Sequence, residues 1–320
     1  MKITLAVLLA SLYGLSLRVM FDIFGPFMQV MSMSFLFFGP LIVGYVTVIL
    51  IPKNRDLSYG NAFFLPWLSC LAILVLTILF NLEGSICWIM IYPFFAVVAG
   101  IGGIIANKRR KDRWKITNDF DSINISLLAL LPIPIILGLF EKETLSRTKE
   151  YTICREVAIA APAEKVWHNL ANVNKINKTE HSASLSTAIG FPRHIYTTLD
   201  SMVVGGHRTA YFDKGLYFNE TITRLVPGRL LALNIKTDPT KIPPTTMDEH
   251  ILIGGKHIDV MEDIYTIEPT GNNSCKLQVS SRYKICTPFN WYAVLWTDLL
   301  LSDMLKGELN IIQQRSALIN

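Results

Sequence analysis

Four polar residues occupy alternate positions in one short stretch of the C-terminal half of the sequence: His207, Thr209, Tyr211 and Asp213. Alternate residues of a β-strand point to the same face, so a strand here would present all four together. A histidine, a tyrosine and an aspartate on the wall of a cavity can hold and move a proton. A polar row on a rim or a solvent-facing surface gives the same pattern, and we prefer that interpretation.

Other side chains downstream are candidates for contacting a ligand. Glu220 on the next predicted strand and Arg282 on the last one can anchor a polar group. In the predicted final helix, Trp291 can stack on a ligand, although helix packing is the commoner role of such a residue. Asp298 is the only charged residue in the apolar run 289–301.

Gly307 interrupts the same predicted helix. A glycine inside a helix costs roughly 1 kcal/mol relative to alanine, so the missing side chain calls for a reason. It can open room for a ligand or allow a close packing contact, and the sequence leaves both open. The candidate cavity residues are therefore His207, Tyr211, Glu220, Arg282, Trp291, Asp298 and Gly307.

Familiar catalytic and metal-binding motifs are absent from the sequence. It contains no GxSxG, no HExxH and no paired Cys/His set, and its five cysteines form no CxxC. We therefore assign no catalytic residue, and we expect no metal and no cofactor.

The composition divides the chain into an apolar half and a water-soluble half. Hydrophobic residues make up 51% of the 320 residues and charged residues only 17%, and the mean hydropathy is +0.37. The apolar excess lies in residues 1–140, which contain five runs that can cross a bilayer. They lie at about 3–20, 28–51, 62–80, 86–106 and 122–140. The lipid bilayer is therefore an expected partner. The small positive net charge does not indicate nucleic-acid binding.

Basic residues predict the orientation of these runs. Nine Lys/Arg, at Lys2, Lys53, Arg55 and within 108–115, fall on one side if the runs alternate, and cytoplasmic loops are rich in such residues. The fifth run contains Pro132 and Pro134, so it either crosses or re-enters; we favour crossing. The sequence then predicts a multi-pass protein of the cell membrane with an extracytoplasmic C-terminal domain.

The soluble half begins after a charge-balanced linker, 141–150. Residues 151–173 predict a strand followed by a helix, since Ala161-Pro162 ends the alternating pattern and starts a helical one. A short helix, six strands and a long helix are predicted to follow. The long segment 237–257 is interpreted as a lid, a membrane-facing flap or a solvated insertion.

Residues 151–316 resemble the START-like superfamily, also called SRPBCC or polyketide cyclase/dehydrase-like. The features that carry the resemblance are APAEKVW at 161–167, the hairpin ETITRLVPGR at 220–229, the hairpin TIEPTGNNSCKLQVSSRY at 266–283 and the closing helix. The resemblance implies an α+β helix-grip domain, in which a curved antiparallel sheet wraps a long helix around a mostly apolar cavity.

Two functions fit this organisation. The first is a non-catalytic carrier, sensor or scaffold whose cavity binds a hydrophobic small molecule or a lipid. The second is a membrane-tethered enzyme of the cyclase or aromatase kind that acts on an apolar substrate. The missing acid/base motif favours the first.

Overall fold

The computed structural model divides the chain into two compact units, Met1–Leu145 and Ser146–Asn320. Each unit has its own buried residues and is described separately. The structure describes residues 3–24, 30–52, 55–80, 82–114, 130–141, 147–171, 173, 175–241 and 252–317.

The N-terminal unit is helical. Its helices are α1 (Ile3–Ile23), a π-helical turn (Ser34–Phe38) continuing into α2 (Gly39–Ile49), α3 (Tyr59–Leu79), α4 (Ser85–Trp114) and α5 (Ile133–Phe140). Three helical segments, Ile3–Ile23, Tyr59–Leu79 and Ile86–Asp112, are long and apolar enough to cross a membrane. Three of the five predicted runs are thus supported in length and composition.

The second and fifth predicted runs differ from expectation. The second is shorter in the structure, where it forms the apolar helix Ser34–Ile49. At 1.5 Å per residue it spans about 24 Å, somewhat less than a hydrocarbon core of roughly 30 Å. The described part of the fifth run is Leu130–Phe140, which includes the eight-residue α5, and residues 122–129 lie outside the described residues.

Close backbone contacts hold α2 against α4. A side chain on Gly44 would overlap the carbonyl group of Ala99, and one on Gly102 would overlap the carbonyl oxygen of Leu41. Helices in a bilayer gain little from hydrophobic association, so small residues that allow such an approach are their usual packing device. Gly44 and Gly102 therefore serve helix packing.

The two ends of the helical unit are marked by different contacts. At one end, Ile3 and Leu50 pack on a cluster that contains Leu57 and Ala106. This places the start of α1 beside the C-terminal part of α4. At the other end, Arg18 forms a buried ion pair with Glu83, with 2.6 Å between Arg18 Nε and Glu83 Oε1.

The C-terminal unit is a seven-stranded antiparallel sheet closed by a long helix. The strands are β1 (Arg147–Ile159), β2 (His194–Leu199), β3 (His207–Phe212), β4 (Tyr217–Val226), β5 (Leu230–Lys236), β6 (Ile258–Gly271) and β7 (Ser274–Thr287). Their order across the sheet is β1-β7-β6-β5-β4-β3-β2. The helices are α6 (Ala163–Ala171), the short α7 (Leu185–Ala188) and α8 (Asn290–Ala317).

The predicted order of elements is confirmed, and with it the helix-grip arrangement. Strand β1 starts at Arg147, inside the segment 141–150 that the sequence predicts as a linker. Pro162 precedes α6, which buries Val166 and Leu170 on one side. Of the long segment 237–257, residues 242–251 lie outside the described residues.

The C-terminal unit is expected to fold without the N-terminal helices, because it contains the complete sheet and its closing helix. Residues 146–320 produced alone should give a far-UV circular dichroism spectrum with both helix and strand signals and a single cooperative melt. A spectrum of a disordered chain, or a melt without cooperativity, would show that the sheet depends on the N-terminal unit.

Candidate functional site

A cavity of about 140 Å³ lies between the sheet and α8 of the C-terminal unit. Its apolar wall includes Ala210, Phe212, Phe218, Ile235, Val260, Leu305 and Ile311. Strands β3, β4 and β6 and helix α8 also send charged side chains into it: Arg208, Glu220, Asp263 and Glu308. The cavity is therefore amphipathic, with an apolar wall and a cluster of charges.

Two of the seven predicted cavity residues, Glu220 and Gly307, line this cavity. A Cβ atom built on Gly307 would meet no atom within 4 Å. The missing side chain thus leaves open space at the cavity wall, whereas a close packing contact would have placed an atom there.

The structure places His207 and Tyr211 away from the cavity. Strand β3 turns Arg208, Ala210 and Phe212 inward, so the alternate residues point outward. His207 is exposed, and the ring of Tyr211 stacks on that of Tyr196 at 4.7 Å between centroids. The solvent-facing interpretation of this polar row, and not the catalytic one, agrees with this placement.

Arg282, Trp291 and Asp298 also lie outside the cavity lining. The Arg282 side chain is 44% exposed and forms ion pairs with Glu150 and Glu262. Trp291 is exposed on α8. Asp298 accepts a hydrogen bond of 2.5 Å from the hydroxyl of Tyr283. Arg282 and Asp298 thus have partners within the sheet, and Trp291 faces solvent.

The charged cluster is built on a buried ion pair between neighbouring strands. Arg208 on β3 and Glu220 on β4 are register partners, and 3.2 Å separates Arg208 Nε from Glu220 Oε2. They are 2% and 7% exposed. Glu308 on α8 approaches from the other side, with 3.9 Å between its Oε1 and Arg208 Nη2.

Asp263 joins the cluster because of a β-bulge. The register of β6 with β7 shifts between Val260 and Glu262, and an extra residue in one strand turns the following side chains to the other face. Val260 and Asp263 consequently both point into the cavity. The register partner of Asp263 on β7 is the fully buried Ser281.

Several polar atoms of this cluster are buried without a hydrogen-bond partner. They are Arg208 Nε and Nη1, Glu220 Oε2, Asp263 Oδ1 and Ser281 Oγ. A buried polar group without a partner costs about 1–3 kcal/mol, and charged groups cost more. A site that concentrates such atoms around a cavity is suited to a ligand that supplies the missing partners.

Burial shifts the acidity of the carboxyl groups. It raises the pKa of Glu220 to about 7, an effect that the Arg208 guanidinium opposes and Glu308 reinforces. It also raises the pKa of Asp263 to about 7, and the charges of Glu308 and Glu220 add to the rise. Two carboxyl groups that titrate near neutrality can each act as acid or base.

A second polar group lies in the cavity lining, around His194 and Asp303. Burial, followed by the charge of Arg208, lowers the pKa of His194 to about 3, so the ring is neutral. Burial opposes ionisation of Asp303, but hydrogen bonds from the hydroxyl and backbone N–H of Ser186 outweigh it and lower its pKa. These two residues already have partners in the protein.

Among the described residues, no group of three or more His, Cys, Asp or Glu side chains is arranged to hold a metal ion.

Arg208 and Asp263 escaped the sequence analysis for different reasons. The inward face of β3 is signalled by Ala210 and Phe212, the apolar residues that alternate with the polar row, and Arg208 shares their face. That signal was present in the sequence. The inward direction of Asp263 depends on the bulge in β6. No turn residue or change of period in the sequence indicates this bulge.

The C-terminal half also matches solved structures at low similarity. Norcoclaurine synthase from Thalictrum flavum is 16% identical over 52% of this chain and 94% of that chain, with a TM-score of 0.32. The Zhui aromatase/cyclase from Streptomyces sp. R1128 is 14% identical over 52% and 94%, with a TM-score of 0.34. No protein-family profile and no curated protein matches the chain.

The C-terminal unit has a helix-grip-like fold, an antiparallel sheet closed by a long helix. The strand order and the closing helix α8 establish this assignment. Similarity at this level carries no information on activity, which has to be argued from the residues of the helix-grip unit itself.

The raised pKa values predict that the stability of the C-terminal unit depends on pH. The substitution Asp263→Asn should make this pH dependence smaller. A carboxyl group with a folded pKa near 7 and an unfolded pKa near 4 favours the folded state below its folded pKa, so this contribution is lost as the pH rises through 7. In urea denaturation of residues 146–320, raising the pH from about 5 to about 8 should destabilise the variant less than the original, by on the order of 1–3 kcal/mol.

Glu268→Gln is the matched control, because Glu268 is an exposed carboxylate on the same strand. Since His194 is present in all three proteins, its own titration cancels in the comparison. An equal pH dependence of Asp263→Asn and the original would mean that Asp263 titrates at an ordinary pKa.

Proposed function

We propose that this protein is a membrane-anchored binding protein, whose helix-grip unit holds a small amphipathic molecule without changing it chemically. The observation that carries the proposal is a cavity with an apolar wall and buried polar atoms that lack partners. A carrier, a sensor and a scaffold all require such a site.

The two parts of the cavity supply different contributions to binding. The apolar wall stabilises a hydrocarbon group by about 25 cal/mol per Å² of apolar surface removed from water. The polar atoms of Arg208, Glu220 and Asp263 fix the orientation of the ligand's polar end, since satisfying them removes an existing cost. The predicted ligand class, a hydrophobic small molecule or lipid, is thereby narrowed to one with a polar group.

An enzyme is the second candidate, and one observation favours it. Glu220 and Asp263 both have pKa values raised to about 7 within one cavity. Such a pair can donate and accept protons at neutral pH, as a cyclase-like reaction on an apolar substrate requires. Glu220 and Asp263 line the cavity and are therefore the acid/base candidates of this second proposal, in place of the outward-facing His207 and Tyr211.

Filling the cavity at Gly307 should remove the bound molecule. The full-length protein, purified in detergent and analysed by native mass spectrometry, should retain a small molecule that Gly307→Leu loses, because the leucine side chain occupies the cavity. Gly307→Ala is the control: it adds a single methyl group into open space and should raise helix stability by up to about 1 kcal/mol.

The chemical state of the recovered molecule separates the two candidates. A molecule that is recovered unchanged after incubation supports binding alone. A product whose formation stops in Asp263→Asn or Glu220→Gln, with the fold intact by circular dichroism, would instead establish the enzyme. Equal retention by Gly307→Leu and the original would contradict the assignment of the cavity as the binding site.

The helical unit supports a membrane orientation with the C-terminal unit outside the cytoplasm. The basic residues at the end of α4 lie at the same end as the start of α1, since Arg110 donates hydrogen bonds to the backbone oxygens of Val48 and Pro52 and Ile3 packs in the cluster of that end. Cytoplasmic loops are rich in Lys/Arg, which favours this end as the cytoplasmic one.

Residues 130–141 pass from the basic end of the bundle towards the other end. Leu130 packs on the cluster at the basic end, and the carbonyl of Leu131 accepts a hydrogen bond from Tyr13 midway along α1. The carboxylate of Glu141 then accepts hydrogen bonds from the backbone N–H groups of Met33 and Ser34. The described segment 130–141 therefore runs along the bundle away from the basic end, which supports the proposed crossing.

A reporter fused after Asn320 tests this orientation. Alkaline phosphatase, which is active only outside the cytoplasm, should be active there and inactive when fused after Trp114. The reverse pattern would place the helix-grip unit in the cytoplasm. Activity at both positions would mean that α4 ends outside and that the basic residues do not set the orientation.

A further inference from the structure

We infer that the ligand of the helix-grip cavity carries a positively charged amine group, which binds between the carboxylates of Glu220, Asp263 and Glu308. This inference rests on the proposed function and specifies its ligand class.

The first argument is the charge balance of the cavity lining. Two arginines, Arg193 and Arg208, face four carboxyl groups, those of Glu220, Asp263, Asp303 and Glu308. Arg193 is exposed, and Asp303 already accepts a hydrogen bond from Ser186. The interior therefore holds one guanidinium, that of Arg208, and three remaining carboxyl groups, those of Glu220, Asp263 and Glu308. A ligand cation corrects this excess of negative charge, whereas a ligand anion would add to it in a poorly hydrated site.

The second argument is the kind of polar atom that lacks a partner. Glu220 Oε2 and Asp263 Oδ1 are buried acceptors without a hydrogen bond, and they lie on strands β4 and β6. An ionised carboxylate accepts hydrogen bonds and donates none, while a primary ammonium group donates up to three. One ammonium group can therefore serve acceptors from both strands and from Glu308 on α8.

The third argument is that Arg208 alone does not satisfy these carboxylates. Its Nε lies 3.2 Å from Glu220 Oε2, yet neither atom makes a hydrogen bond of good geometry. Its Nη2 is 3.9 Å from Glu308 Oε1, beyond hydrogen-bond distance. The guanidinium thus neutralises part of the charge and leaves the acceptors available.

The apolar wall and the size of the cavity restrict the rest of the ligand. Phe212, Phe218 and Val260 offer no hydrogen-bonding groups to it, and a volume of about 140 Å³ suits a small hydrocarbon body. The ligand class is a small amphipathic amine.

Binding of an amine should be coupled to proton release. In the empty cavity the carboxyl groups of Glu220 and Asp263 titrate near pH 7, and a bound cation favours their ionised forms. The titratable and charged groups that face them from all packed elements are His194, Arg208, Tyr265, Asp303 and Glu308, with Arg193 and His181 also in the cavity lining. The site should therefore bind the amine more weakly at about pH 5.5 than at about pH 8, where the carboxyl groups are ionised.

The experiment compares three probes of equal chain length: hexylamine, hexanol and hexanoate. The full-length protein, reconstituted in nanodiscs of phosphatidylcholine, is titrated calorimetrically, and the heat from empty nanodiscs is subtracted. Hexylamine should bind at least about tenfold more tightly than hexanol, because each hydrogen bond to a charged group adds appreciably to binding. Titration in buffers of different ionisation enthalpy should show proton release with hexylamine at pH 7 and none with hexanol.

Two variants test the carboxylates separately from the fold. Asp263→Asn and Glu308→Gln should each weaken hexylamine binding about tenfold while leaving hexanol binding within about twofold. Both retain the Arg208–Glu220 pair, whereas a change at Glu220 would leave a buried arginine unpaired. Glu268→Gln, which removes an exposed carboxylate from the same strand as Asp263, is the control and should bind like the original.

The outcomes separate this inference from the proposed function. Equal binding of hexylamine and hexanol, both blocked by Gly307→Leu, would overturn the inference and leave a cavity for neutral ligands. Preference for hexanoate would also overturn it and make Arg208 the anchor. If none of the three probes binds, the proposed binding function itself fails.

Discussion

The ion pair between Arg208 and Glu220 is the interaction on which the rest of the cavity depends. It joins neighbouring strands at a fixed register and places opposite charges deep between the sheet and α8. Removing one partner of a buried pair costs about 3–5 kcal/mol, because the other charge stays behind without compensation. Apolar residues of similar size would stabilise such a position at least as well. Stability alone therefore does not explain the pair, and its place in the cavity lining fits the proposed binding site.

Local patterns predicted most of the helix-grip unit. Alternation identified the strands, and Pro227-Gly228 marked the β4–β5 turn, where Gly228 adopts a positive φ of 75°. Pro162 marked the start of α6, and the apolar runs identified three membrane-length helices. These signals are local, since each depends on residues that are neighbours in sequence. The length of α2 and the course of residues 130–141 depend on packing within the bundle, and local hydropathy did not reveal them.

The cavity was predicted less well than the fold, and the reasons are physical. Gly307 was identified because a glycine inside a helix is locally costly, and Glu220 because a charged residue on a predicted strand can anchor a polar group. Arg208 was not predicted because it alternates with the polar row of β3 and lies on the strand's apolar face, the face that a sheet buries. Asp263 reaches the cavity only through a bulge, which is a property of how β6 pairs with β7. Such a feature belongs to the assembled sheet.

The pairing of β1 has a consequence for biosynthesis. The first strand of the unit lies at one edge of the sheet and is hydrogen-bonded to β7, the last strand, over the whole of Arg147–Ile159. During synthesis, β1 is completed long before residues 274–287 exist, so it waits without its partner while the intervening hairpins form. Contacts of such long sequence separation slow folding and leave an unpaired edge open to aggregation in the meantime. The nascent chain thus passes through a stage in which its earliest strand needs protection.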